Sequence, residues 1–255
     1  MQSTLRWRKP GPALAPWVQC YWRYEAKEAA THALRPDGAS GLIFSFGAAF
    51  DLSGQRYSLP GLISGPKLTS SELQVAAGTC LLGIRFQPGM GRLFLSRSLA
   101  QLQGQQTANS LLLAEQLWPT IQQTVPTRAM ESVLLAKVSA QTIPPATRQL
   151  LSLINRTAGR QPVAVLAAKV PMGLRQLERQ FLQWVGVTPK QYSRIRRAAL
   201  VRQALRQGHE LAAVAQHGGY SDQAHFSRDF QGIHGQTPGQ YQQQRIAVMA
   251  ASPSL

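Results

Sequence analysis

The chain contains few cysteines and few acidic residues, and each scarcity excludes a class of protein. Only two cysteines, Cys20 and Cys80, occur in 255 residues, with no CxxC pair and no histidine at a ligand spacing. This excludes a disulfide-stapled scaffold and a cysteine-ligated zinc site, and it is typical of thiols in a reducing compartment. Asp and Glu total 11 against 27 Lys and Arg, so the formal net charge is +16.

Catalytic motifs and long apolar runs are absent as well. The sequence has no phosphate-binding loop, no G-x-S-x-G and no H-E-x-x-H, and Asp37, Asp51 and Glu72 form no evident catalytic pair. We therefore predict no enzymatic activity, no catalytic residue, no cofactor and no metal ion. No apolar stretch approaches the roughly 20 residues that span a bilayer, and no signal peptide is visible. We expect no membrane partner and a cytoplasmic location.

The basic charge is concentrated in the second half of the chain. Lys and Arg outnumber Asp and Glu by 14 to 4 in residues 144–255, but only by 13 to 7 in residues 1–143. Arginine, the side chain that best matches phosphates and base edges, strongly outnumbers lysine. This distribution indicates a polyanionic partner for the second half, although a solvated basic face would give the same count.

Residue patterning predicts an α+β protein of two domains, of which the first is β-rich and barrel-like. Side chains alternate in character over Leu42–Phe46 and Leu82–Phe86, and turn residues such as Pro36-Asp37-Gly38 separate the runs. We therefore assign a β-rich domain to residues 1–98.

The remainder of the chain has helical spacing. Residues 99–143 are predicted to form two or three linker helices, broken at Pro119 and Pro126, and to offer a dimerisation surface in a leucine-rich stretch. Residues 144–246 are predicted to form an all-α domain, and residues 247–255 a disordered tail.

A repeat in the second domain carries most of the functional information. Residues 177–192 recur as residues 226–241 at a constant offset of 49, with arginine, phenylalanine, glycine, Thr-Pro and tyrosine in the same places. Such a repeat marks a duplicated supersecondary unit. Each copy is predicted to contain a short helix, a glycine-containing turn and a second helix, which is the helix-turn-helix arrangement. A long helix from Pro189 to about Arg206 joins the two copies.

The second helix of each unit is predicted at about residues 174–184 and 222–232. Ser221 is the expected N-cap in the second copy, and Gly173 stands in the corresponding place in the first. Stepping 100° per residue predicts a buried stripe on each helix. Its members are Leu174, Leu177, Phe181 and Trp184 in the first copy and Phe226, Phe230 and Ile233 in the second.

The faces opposite these stripes are equivalent in the two copies, and each carries an arginine at the same phase, Arg179 or Arg228. An arginine so placed can bond guanine N7 and O6 together, which is worth roughly 1–3 kcal/mol of discrimination, and Ala224 can touch a thymine methyl. A lone arginine would more often be a solvated residue, but two phase-matched arginines on duplicated helices favour base recognition.

The joining helix sets the spacing of the two units. At 1.5 Å per residue this helix is about 27 Å long. When the packing of the two units against its sides is included, their second helices are expected to lie roughly one DNA turn, about 34 Å, apart. The predicted phosphate contacts are Arg194, Arg196, Arg197, Arg202, Thr188 and Thr237.

The second copy carries a specific motif. Its residues are Leu211, Val214, Ala215, Gly218–Gln223, His225–Arg228, Phe230, Gly235, Thr237, Pro238 and Tyr241. Through them, residues 162–245 resemble the DNA-binding domain of the AraC/XylS family of bacterial transcription regulators; the first copy departs at Gly173 and Leu174. The resemblance implies base contacts from exposed second-helix positions, here Arg175, Glu178, Arg179, Gln223, Ala224, His225 and Arg228.

The first domain resembles the sensor domain of one AraC-type subgroup through Tyr21-Trp22, Pro36-Asp37-Gly38 and Gly83–Gly89. The resemblance implies a domain that binds a small-molecule effector or mediates dimerisation. Pro-Asp-Gly alone would equally be a simple turn.

The sequence thus predicts a one-component transcription regulator, located at the nucleoid, that binds double-stranded DNA in two successive major grooves. Its further expected partners are a small-molecule effector, RNA polymerase and a second copy of the chain. The competing hypothesis is a ligand-binding or interaction module whose helical half docks a protein rather than DNA.

Overall fold

The computed structural model describes residues 3–58, 61–95, 98–108, 112–121, 128–138 and 142–251. Within those ranges, no helix combines the length and the apolar character needed to cross a membrane. The predicted order, a β-rich domain followed by a helical domain, is confirmed.

The first domain is built on two antiparallel sheets. The larger sheet has the strand order β1-β2-β9-β4-β7-β10 and the smaller has β3-β8-β5-β6. The strands are β1 (Thr4–Arg8), β2 (Val18–Glu25), β3 (Ala30–Leu34), β4 (Gly41–Gly47), β5 (Phe50–Leu52), β6 (Gln55–Tyr57), β7 (Leu62–Ser64), β8 (Ser71–Val75), β9 (Thr79–Phe86) and β10 (Gln106–Ala108).

Both faces of the larger sheet are buried at its central strands β4 and β9, which explains why these strands are apolar at successive positions. On β4, Leu42 and Phe44 pack toward helices, whereas Ile43 between them packs toward the smaller sheet with Phe50 and Leu73. Because neighbouring residues on a strand point to opposite faces, two buried faces replace simple alternation by a continuous apolar run.

The linker region differs from its prediction in two respects. Strand β10 precedes the helices α2 (Leu112–Ile121) and α3 (Arg128–Lys137), while α1 (Gly91–Leu95) and a 3-10 helix (Leu99–Leu102) lie before it. The expected break at Pro119 is wrong, because α2 continues through that residue. Leu117 and Ile121, both fully buried, hold this last turn against the core although Pro119 donates no backbone hydrogen bond. Pro126 lies outside the described residues.

The second domain contains seven helices in its described part. They are α4 (Pro145–Arg156), α5 (Val163–Ala167), α6 (Leu174–Val185), α7 (Pro189–Arg206), α8 (Leu211–His217), α9 (Gln223–His234) and α10 (Pro238–Ala251). The last helix continues into the segment expected to be disordered, as the high helix propensity of alanine favours; residues 252–255 lie outside the description.

Two cores form around the shared helix α7. Tyr192, near its start, packs with Leu177 and Phe181, while Val201, nearer its end, packs with Phe226. The long joining helix predicted from the sequence is therefore confirmed at Pro189–Arg206. Both helix-turn-helix units pack against it.

The first domain also contacts both units. The backbone N–H of Ser70 donates to the carbonyl of Ile233 at 2.8 Å, at the end of α9. The Arg92 guanidinium lies 4.9 Å from the ring centroid of Trp184, at the end of α6. The two helices that carry the predicted base contacts are thus held at their C-terminal ends by the first domain.

Candidate nucleic-acid interface

The first unit comprises α5, the turn around Pro171 and helix α6. Gly173 is the N-cap of α6 and, having no side chain, makes no capping hydrogen bond. At the other end Gly186 adopts a φ of 82°, the left-handed conformation that ends a helix at little cost for glycine.

The second unit comprises α8, a turn and α9, and its cap differs from the prediction. Asp222, not Ser221, is the N-cap, and its Oδ1 accepts the His225 backbone N–H at 2.6 Å. This hydrogen bond is the main reason that the pKa of Asp222 is lowered, and a second hydrogen bond, from the Ser221 hydroxyl, lowers it further. The repeat offset of 49 aligns Gly173 with Asp222 rather than with Ser221, so the first copy lacks the side-chain cap of the second.

The buried stripes agree with the helical phase except at Leu174, and Trp184 is only partly buried against the core. Leu177 and Phe181 in α6, like Phe226 and Phe230 in α9, are fully buried. Leu174, predicted to be buried, is instead 46% exposed. It is the first residue of α6 and lies beyond the end of the core, and the repeat aligns it with Gln223, which is exposed as well. Phase alone cannot show where the packing partner of a helix ends.

The predicted base contacts lie on two corresponding surfaces. Exposed on α6 and α9 are Arg175, Glu178, Arg179, Gln223, Ala224 and Arg228. His225 is half-buried, with its ring edge-on to Tyr220 at 5.3 Å between centroids and its Nδ1 3.2 Å from the Ser221 hydroxyl. Six of the seven side chains are therefore available to an outside partner, and the seventh is partly engaged within its own unit.

Two of the predicted phosphate contacts take part in a buried ion-pair network. The Nε of Arg194 donates to Asp229 at 2.6 Å, and the guanidinium of Arg197 donates at 3.1 Å. The Tyr220 hydroxyl donates to the same carboxylate at 3.1 Å, and Arg197 lies 4.3 Å from the Tyr220 ring centroid. The side chain of Asp229 is 5% exposed, that of Arg197 15% and that of Arg194 43%, so only Arg194 keeps much of its side chain at the surface.

The other predicted phosphate contacts also have internal roles. Arg196 and Arg202 are half-buried on α7, and burial followed by the nearby charge of Arg35 lowers the pKa of Arg202. Thr188 forms a capping box with Gln191, whose backbone N–H it accepts at 3.2 Å. Thr237 accepts the Gln240 backbone N–H at 3.2 Å in the same way. The two threonines thus fix the starts of α7 and α10 before any contact with a ligand.

Asp229 is the residue of this candidate interface that sequence reasoning missed. It stands beside Phe230 on α9, at a position that the repeat aligns with Gln180 of α6. The available signal was an acidic residue next to the buried stripe in a domain whose long helix carries five arginines, because a buried carboxylate needs a cationic partner.

Metal-binding clusters of three or more His, Cys, Asp or Glu do not occur among the residues that the structure describes. Cys20 and Cys80 are half-buried free thiols on adjacent strands, and burial is the main reason that the pKa of each is raised.

Comparison with known proteins gives two matches to families. Residues 166–244 match a family described as "Helix-turn-helix domain", and residues 7–108 match a "Domain of unknown function (DUF6597)". The first match contains α6, α7, α8 and α9, and with them every predicted base contact.

Among solved structures, the chain resembles ToxT from Vibrio cholerae. One ToxT structure is 8% identical, with 95% of this chain and 98% of that chain covered and a TM-score of 0.47. Another, of ToxT bound to (E)-4-(8-methylnaphthalen-1-yl)but-3-enoic acid, is 9% identical over 96% of this chain and 100% of that chain, also at 0.47. A third, of an apo lysine-to-alanine variant of ToxT, is 11% identical over 95% of this chain and 97% of that chain, at 0.45. Such TM-scores are too low for a residue-by-residue correspondence.

Proposed function

We propose that this chain, a DNA-binding transcription regulator with an AraC-type helix-turn-helix domain in its C-terminal region, reads two successive major-groove segments with α6 and α9. The observation that carries the proposal is the duplicated exposed face. Arg179 and Arg228 occupy the same position on the two helices, both are exposed, and both lie opposite a buried stripe.

Base recognition is assigned to the exposed side chains of these helices. Arg175, Arg179 and Arg228 present guanidinium groups suited to guanine N7 and O6, and Ala224 presents a methyl group to thymine. The Glu178 carboxylate would accept a hydrogen bond from cytosine N4 or repel a phosphate, so it would restrict the DNA sequences that can bind α6. Gln223 is suited to adenine, and His225 is held for the second half-site by its contact with Tyr220.

Phosphate contacts position the protein without reading sequence. Arg194 has the most exposed side chain of the ion-pair network and is therefore proposed as the main phosphate contact. We propose secondary phosphate contacts for Arg196, Arg202, Thr188 and Thr237. The two arginines are half-buried, and the two threonines already cap helices.

Selection of binding sites from a random duplex library, with the full-length protein at near-physiological salt, tests the proposal. We expect an enriched bipartite motif with its halves about one helical turn apart. Arg179→Ala and Arg228→Ala should each relax preference at a different base position, by a factor of roughly 5 to 150, corresponding to about 1–3 kcal/mol. Arg128→Ala, an exposed arginine on α3, is the matched control and should leave the motif unchanged.

Equal, sequence-blind losses from Arg179→Ala and Arg228→Ala would contradict base reading. Affinity that does not depend on salt for any duplex would instead favour a helical half that docks a protein, because phosphate contacts release counterions on binding.

We further propose that the first domain regulates DNA binding, since it contacts the ends of both α6 and α9. A small-molecule effector would fit a cleft of about 650 Å³ lined by Lys67, Ser71, Glu72 and Gln103. Burial, followed by the neighbouring Arg85, lowers the pKa of Lys67 to about 8.

The remaining partners proposed are RNA polymerase and a second copy of the chain, with a cytoplasmic location at the DNA and no catalytic step. Dimerisation through the leucine-rich linker is tested by light scattering. A mass near twice the 27.9 kDa of a single chain would support it, whereas 27.9 kDa itself would contradict it.

A further inference from the structure

We infer that the cleft between the two helix-turn-helix units binds the sugar-phosphate backbone of DNA between the two half-sites. This inference rests on the proposed function and adds a site and two residues, Arg160 and Lys190, to it. The cleft has a volume of about 780 Å³, and both units line it: Leu174 and Glu178 come from α6, and Gly219 and His225 from the second unit.

The lining of the cleft carries a net positive charge. Arg160, Lys190, Arg194 and Arg197 contribute four cations, and Glu178 and Asp229 contribute two carboxylates. Asp229 does not offer a free negative charge, because two guanidiniums and the Tyr220 hydroxyl already donate to it. Arg160 and Lys190 are exposed at the surface of the cleft, where they are available to an anion.

The arginine side chains of the cleft are anchored by contacts within the protein. Arg160 donates from its Nε to the carbonyl of Thr157 at 3.2 Å, so its stem is anchored. Gly219, with a φ of 71°, brings the turn of the second unit close to that stem, and a Cβ on Gly219 would lie 3.6 Å from the Cβ of Arg160. Arg194 is fixed by Asp229 on α9. The cleft therefore joins Arg160, in the connection between α4 and α5, to the turn of the second unit, which favours an ordered, low-entropy contact.

The position of the cleft indicates which part of the duplex would reach it. When α6 and α9 enter successive major grooves, the minor groove between them faces the protein, flanked by both phosphate backbones. The cleft lies between those two helices. A cationic cleft there neutralises the backbone phosphates that would otherwise approach the protein without a partner.

Single uncharged methylphosphonate linkages, placed one at a time along a selected duplex, test the inference. With the full-length protein, neutralising a phosphate between the half-sites should weaken binding about 3- to 10-fold, as expected for a charge-assisted contact at a partly exposed site. In Arg160→Ala or Lys190→Ala, the same linkage should have little further effect, because the cation that it opposed has been removed.

Salt dependence provides the second measurement. Arg160→Ala and Lys190→Ala should each reduce the slope of log K against log salt by about 0.9 and leave the base motif unchanged. Arg206→Ala is the matched control: Arg206 is exposed at the other end of α7 and does not line the cleft, so its slope should equal that of the wild type.

Unchanged slopes in Arg160→Ala and Lys190→Ala, with central linkages no more harmful than outer ones, would overturn the inference. If Arg179→Ala and Arg228→Ala still altered base preference in that case, the proposed function would stand without it. Loss of bipartite selection in the wild type itself would contradict the proposed function instead.

Discussion

At the scale of the residue, Leu174 and Leu177 show how the same residue type takes two roles within one helical turn. Leu174 is 46% exposed and Leu177 is fully buried, although both lie on the side that helical phase assigns to the core. The difference arises because Leu174 is the first residue of α6 and lies beyond the end of the core, whose members on α6 are Leu177, Phe181 and Val185.

Alanine substitution separates the two leucines. Leu177→Ala should lower the free energy of unfolding by about 2–5 kcal/mol, because it leaves a cavity in a packed core. Leu174→Ala, the matched control in the same helix, should change it by no more than about 0.5 kcal/mol. Urea unfolding of the two variants measures both values, and equal losses would contradict the exposure of Leu174.

His234 makes stability depend on pH. Burial, followed by the nearby charges of Arg202 and Arg35, lowers the pKa of this histidine from 6.5 to about 4. The folded state therefore favours the neutral ring, and acidification from pH 6.5 towards 4 protonates the unfolded state first. Stability should be fully present above the unfolded pKa and should fall through this window, by at most about 1.4 kcal/mol per pH unit and by less for a partly exposed ring.

Urea unfolding at pH 7, 6 and 5 measures the effect of His234. The variant His234→Gln, which cannot titrate in this range, should show a smaller loss than the wild type between pH 7 and 5. Parallel losses in the two proteins would assign the pH dependence to other groups.

At the scale of the element, the two second helices differ in how they begin. Asp222 caps α9 through the His225 amide at 2.6 Å, whereas Gly173 begins α6 without a side-chain acceptor. A Cβ at Gly173 would meet nothing within 4 Å, and its φ of −60° suits any residue. The first copy can therefore accept the cap that the second copy already has.

Gly173→Asp should stabilise the protein by a few tenths of a kcal/mol, because the new carboxylate would accept a first-turn amide of α6. The reverse change, Asp222→Gly, should destabilise the protein. It should also remove the contribution of the Asp222 carboxylate to stability, which the wild type loses as pH falls below the ordinary carboxyl pKa of 3.8. Thermal unfolding at neutral pH compares the two variants. A lower melting temperature for Gly173→Asp would show that the start of α6 requires glycine.

At the scale of the whole molecule, the Pro36-Asp37-Gly38 turn joins the two domains. Asp37 accepts the Ala39 backbone N–H at 2.9 Å and is paired with Arg85, so the turn is fixed within the first domain. Gly38 then lies against the buried ring of Tyr192 on α7, where a Cβ would approach a ring carbon to 2.5 Å. The turn predicted from the sequence is therefore also an interdomain contact.

Gly38→Ala and Gly54→Ala isolate that contact. Both glycines have a positive φ, 74° and 79°, but Gly54 has open space around it. Each substitution should cost about 1–2 kcal/mol for the left-handed backbone conformation. Gly38→Ala should cost roughly 1–3 kcal/mol more, since it must displace Tyr192. Equal losses of stability in the two variants, measured by chemical unfolding, would mean that the two domains are not in close contact at this turn.

Local patterns were sufficient where neighbours in the sequence decide the structure. The joining helix, the two helix-turn-helix units and the exposed arginines of α6 and α9 were predictable, because helical phase depends on neighbouring residues and the 49-residue repeat can be read directly from the sequence. The break expected at Pro119 was wrong, because burial of Leu117 and Ile121 outweighs the missing hydrogen bond.

The sequence by itself determined the order of the domains, the duplicated helix-turn-helix unit and the side chains that the two units present. Only the tertiary structure decided that Asp229 holds Arg194 and Arg197, that Leu174 is exposed, and that a cationic cleft lies between the units. The physical reason is distance along the chain. The two ion pairs of Asp229 join residues 35 and 32 positions apart, and no periodic pattern records which residues so far apart meet in space.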